Sequence, residues 1–87
     1  MTESKDQLPV VLKQRWIVTM PDGTRYDAGS SYHLSEAHRV AYVQEVAGRL
    51  TGPDSELEEP IGDPAPVPMR ENFYREIVRA GGSYRIK

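Results

Sequence analysis

The sequence predicts an α+β fold: a small three-stranded antiparallel sheet with two helices on one face, in the order β-β-α-loop-α-β. Three observations carry that expectation. A strand-like run ends at Pro21-Asp22-Gly23, residues suited to a tight hairpin. Two stretches of helical periodicity follow, one after Ser35 and one after Pro68. The last five residues alternate in strand period behind a Gly81-Gly82 stop.

With 87 residues, one compact unit is the ceiling, and its core must be small. The absence of cysteine excludes disulfides, thiolate zinc sites and thiol catalysis. No apolar run is long enough for a bilayer-spanning helix and no signal-peptide core opens the chain, which reads as a cytoplasmic protein that avoids membranes.

Residues 1–9 are polar, carry alternating charge and read as a flexible tail ahead of a single domain at 10–87. From Val10 to Met20, β-branched residues and Trp16 suit a pleated strand, and Arg25 to Ser30 would be its return. Pairing Met20 with Thr24 sets Val18 opposite Tyr26 and Trp16 opposite Ala28 on a buried side. Thr19 with Arg25, Ile17 with Asp27 and Arg15 with Gly29 then lie on the outer side. A one-residue slip would put the apolar set in water.

Ser35 is a natural N-cap for a helix running to Leu50, where Thr51-Gly52-Pro53 stops it. Residues 51–68 hold five of the seven prolines and an acidic run without a base from Asp54 to Asp63, and read as an extended acidic loop. Met69 to Ala80 carries Met69, Phe73 and Ile77 on one helical face. Ser83 to Lys87 completes the sheet. The expected core is Trp16, Val18, Met20, Tyr26, Val40, Val43, Ala47, Leu50, Phe73, Ile77, Tyr84 and Ile86.

Few patterns carry chemistry. His33 and His38 stand five apart, which is not the spacing of a helical metal pair, so no metal is expected. Ser30, Ser31 and His33 suggest a nucleophile beside its base, but no nucleophile elbow surrounds them. The acidic run lacks the spacing of a calcium loop, and no phosphate-cradling glycine motif is present, so no cofactor is expected.

What remains is surface. Glu56, Glu58, Glu59 and Asp63 form a carboxylate strip suited to a basic partner, or to imitating nucleic-acid phosphates. Arg75 and Arg79 share a helix face, and Arg39 with Tyr42 has interface composition. The expectation is therefore a non-enzymatic protein-interaction module of a bacterium or its mobile elements. It would act as a small regulator or inhibitor of a larger, nucleic-acid-handling partner. The alternative is direct nucleic-acid binding through Lys13, Arg15 and Arg25 of the hairpin and the basic C-terminal segment. The net charge of -2 weighs against that alternative.

Overall fold

The computed structural model describes residues 8–49 and 56–86. Most of the expected tail, and residues 51–55 of the expected loop, lie outside the described residues. Six elements follow in order: β1 (Val10–Thr19), β2 (Arg25–His33), α1 (Glu36–Arg49), β3 (Leu57–Pro68), α2 (Glu71–Arg79) and β4 (Ser83–Ile86). The antiparallel sheet has four strands in the order β3-β1-β2-β4, not three.

The additional strand comes from the segment expected to be a loop, and its prolines explain how. The Met69 N–H donates to the Pro9 carbonyl at 2.8 Å. Odd positions of β3 therefore turn their hydrogen bonds toward β1, and even positions look outward from the sheet. Pro60, Pro66 and Pro68 all stand at even positions paired across from β1. The donor each lacks would have pointed away from the sheet, so an edge strand accepts them.

At the hairpin, Thr19 pairs with Arg25, Val18 with Tyr26 and Ile17 with Asp27, as the turn predicts. Asp22 Oδ1 accepts the Thr24 N–H at 2.9 Å and holds the turn. Farther along, the expected register is corrected, because Arg15 pairs with Ser30 and not with Gly29. Ala28-Gly29 forms a bulge opposite Trp16. Gly29 takes φ 85, a left-handed conformation that favours glycine, and its N–H is held by Asp27 Oδ1 at 2.9 Å. A second bulge in β3, between Ile61 and Ala65, lies opposite Gln14.

Cross-strand pairing sets Gln14, Ser31 and Arg85 on one face, and Lys13, Tyr32 and Tyr84 on the other. The Tyr42 ring of α1 meets Trp16 (centroids 5.7 Å apart) and His33 (5.2 Å) on the first face. Phe73 of α2 meets Tyr32 (5.5 Å) and Tyr84 (5.4 Å) on the second. The helices therefore cover opposite faces, and the expectation of one shared face is corrected. Tyr32 and His33 are consecutive in an extended strand, so a helix on one cannot reach the other.

Val11, Trp16 and Ile77 are fully buried, while Tyr26 and Val40 are 55% and 40% exposed, contrary to their expected core roles. Tyr26 lies near the hairpin tip, away from α1. The inward stripe of α1 runs through His38, Arg39, Tyr42, Val43 and Val46, about one position off the stripe through Val40. Tyr84 and Ile86 keep rim exposure, and the side chains of Ala47 and Leu50 lie outside those described.

Ser35 caps α1 as expected, its Oγ accepting the His38 N–H at 3.3 Å. Helix α2 has no side-chain cap at Arg70 and ends with the Gly82 N–H bonded to the Ile77 carbonyl at 3.0 Å. Gly82 has φ 107 and lies against the His38 ring so closely that a Cβ there would overlap the imidazole.

Candidate interaction surface

On the α1 side of the sheet, one hydrogen-bonded chain crosses the core. Trp16 Nε1 donates to Ser31 Oγ at 2.7 Å, and Ser31 Oγ lies 2.6 Å from His33 Nε2. His33 Nδ1 lies 2.7 Å from Ser83 Oγ, which donates to the His38 carbonyl at 3.4 Å. Each ring nitrogen of His33 thus faces a serine hydroxyl that can donate or accept, and Ser31 Oγ also lies 3.5 Å from the Gln14 carbonyl. Burial, reinforced by the nearby charges of Arg39 and His38, lowers the His33 pKa to about 4.

Ser31 and His33 thus stand at the separation of a nucleophile and its base, as the sequence allowed. Both are fully buried, and Ser31 Oγ already accepts from Trp16. Neither the Ser31 hydroxyl nor the His33 ring has exposed surface. His38 turns its Nδ1 to Ser35 Oγ at 2.7 Å, away from any shared site with His33. Among the described residues, no group of three His, Cys, Asp or Glu side chains could hold a metal ion.

Each sheet bulge frees carbonyls, and a buried side chain on this same face caps them. Gln14 Nε2 donates to the carbonyls of Ile61 (3.1 Å) and Gly62 (3.2 Å) in the β3 bulge. Arg85 Nη2 donates to Ala28 in the β2 bulge at 2.7 Å, and the same nitrogen pairs with Glu58. The guanidinium lies 4.8 Å from the centre of the Trp16 ring. Arg85 and Glu58 therefore form a clasp over Trp16 that joins the two edge strands.

Several of the expected binding residues are thereby engaged internally. Glu58 keeps only 16% of its side chain exposed. Arg39 reaches Gln14 Oε1 at 3.3 Å and pairs with Glu36, whose carboxyl it holds below the usual range. Tyr42 packs on Trp16 and His33. Arg75 and Arg79 are exposed on α2 and pair with Glu71 (2.7 Å) and Glu76 (3.5 Å). Glu56, Glu59 and Asp63 are exposed, but the pleat sends Glu58 and Glu59 to opposite faces. The carboxylates do not form one strip. Glu56 and Glu58 instead line an open depression of about 220 Å³ with Val18, Asp27 and Ala28.

The other face is closed at one end only. Helix α2 packs over Tyr32 and Tyr84, and among the described residues no helix covers the half toward the hairpin turn. Cross-strand pairing arranges that half in rows: Ile61, Arg15, Ser30 and Ile86; then Glu59, Ile17 and Asp27; then Leu57, Thr19 and Arg25. Ile61, Ile86 and Leu57 are 38%, 40% and 46% exposed. Sequence reasoning placed Arg15, Ile17 and Asp27 on an outer hairpin side but missed Leu57 and Ile61. Their odd spacing within a proline-bearing edge strand was the available signal.

No family model, curated protein or solved structure matches the chain. Among the described residues, no helix is long and apolar enough to cross a membrane.

Proposed function

We propose that this chain is a non-enzymatic protein-binding module, a small regulator or inhibitor that docks on a larger partner through the open half of its α2-side sheet face. The observation that carries the reading is the pattern on that half, where exposed Leu57, Ile61 and Ile86 alternate with Arg15, Arg25, Asp27 and Glu59. Aliphatic positions interleaved with charges of both signs have the composition of a non-obligate protein interface. A nucleic-acid surface would concentrate positive charge, and here Asp27 and Glu59 stand among the arginines. The enclosure of Ser31 and His33 supports a role without turnover.

The test is affinity capture from the native host, comparing the parent chain with a Leu57→Asp, Ile61→Asp double variant. Both side chains are exposed, so folded stability should change by no more than about 1 kcal/mol, two surface substitutions at about 0.5 each. The reading expects a specific protein to be retained by the parent and lost by the variant. Equal retention by both would sink it. So would salt-dependent duplex binding abolished by Arg15→Ala and Arg25→Ala, the signature of the nucleic-acid alternative.

A further inference from the structure

The two edges of the sheet are guarded unequally. On β3, three of the outward positions are prolines without a donor, and Lys and Pro are the usual guards against strand addition. The opposite edge, β4, has no such guard among its described residues. The Leu34 N–H donates to the Gly82 carbonyl at 2.9 Å, so Tyr84 and Ile86 turn their backbone groups inward to β2. Ser83 and Arg85 therefore point their N–H and C=O groups out of the sheet, and no described strand lies beyond them. The one charged side chain on this strand, Arg85, is drawn inward to Glu58 and Trp16 and does not defend the edge.

The geometry points to a second copy of this chain as the occupant of that edge, paired antiparallel through β4 about a two-fold axis at Tyr84. In that register Ser83 and Arg85 of one protomer exchange hydrogen bonds with Arg85 and Ser83 of the other, making four in all. Tyr84, 37% exposed, meets its own counterpart in the closer, non-hydrogen-bonded pair. The register is self-complementary and sets no like charges opposite each other. Because three of the outward positions of β3 are prolines without a donor, that edge offers no continuous ladder to a further copy, and pairing through β4 closes as a dimer, not a filament. The α2-side faces of the two copies become coplanar, whatever docks on them.

Sedimentation equilibrium of the full chain over a concentration series tests this, with amide exchange read by NMR on the same samples. The expected result is a weak dimer in which the Arg85 amide becomes protected as concentration rises, while Tyr84 and Ile86 are protected throughout. A semisynthetic chain bearing an Nα-methyl group at Arg85 keeps every side chain and loses only the outward donor. It should dimerise at least about tenfold more weakly. Three results overturn the proposal: a monomer at all concentrations, equal dimerisation of the methylated chain, or a dimer whose Arg85 amide exchanges as fast as in the monomer. The exchange measurement on the unmodified chain decides the matter if the methylated chain does not fold.

Discussion

On the α1 side of the sheet, Trp16, Ser31, His33, Ser83 and Gln14 are joined by hydrogen bonds, and an ion pair closes over them. On the α2 side, Phe73 fits between Tyr32 and Tyr84, Val11 and Ile77 are buried, and no described helix covers the half toward the hairpin turn. The two sides differ in which groups are left free to meet another molecule. Polar groups on the first side have been desolvated and must answer one another, since a buried unpaired group is costly. They resemble reactive groups because they are paired with one another, Arg85 Nε being a buried exception. The second side closes by shape over a short span, and its uncommitted groups are the ones a partner can reach.

The largest test of this contrast is Trp16→Ala. It removes the ring beneath the Arg85–Glu58 clasp, the edge contact with Tyr42 and the donor to Ser31. Chemical denaturation should show a loss of about 3–5 kcal/mol. A loss under about 1 kcal/mol would mean the α1 side does not hold the fold.

A sharper comparison uses neighbouring carboxylates on opposite faces. Glu58→Ala strands Arg85 with no counter-charge and should cost about 2–3 kcal/mol, less than a fully buried pair because both ends keep some solvent contact. Glu59→Ala, one residue away on the bare half, should stay within about 0.5 kcal/mol. Equal costs would erase the distinction between the faces.

The smallest effect separates them by pH. The folded His33 titrates at about 4, against 6.5 for an unperturbed imidazole. Below pH 6.5 the unfolded chain takes up a proton that the folded chain refuses, so stability is full above that value and falls progressively toward pH 4. Thermal unfolding should show Tm declining across this window, with His33→Gln flattening the decline. Glu36, held by Arg39 below the usual carboxylate range, contributes its own loss only at lower pH.

The hairpin was legible because Pro21-Asp22-Gly23 is a local device, and so was the Ser35 cap. The register past Asp27 was not, since a bulge at Ala28-Gly29 depends on Arg85, nearly sixty positions away, to cap its carbonyl. Strand β3 was hidden by propensity: prolines and acids argue against strand when counted, and permit one when their parity puts each missing donor outside the sheet. The sequence places Tyr42 on the surface as an interface residue, because Val40, Val43 and Ala47 mark the apolar stripe of α1. The helix instead turns His38, Arg39 and Tyr42 inward, where the polar core of that face needs them. Of the open surface, Arg15, Ile17 and Asp27 were readable from the hairpin alone, whereas Leu57 and Ile61 required knowing that their segment pairs.

The adjacent glycines after α2 will not drift alike under mutation. At Gly81 a side chain would meet open space and suffer only a disfavoured backbone angle. At Gly82 the imidazole of His38 already occupies the volume, so any replacement must evict that ring as well as adopt a disfavoured backbone angle. Substitutions accumulating at the first position and none at the second would be the trace this contact leaves in descendants of the sequence.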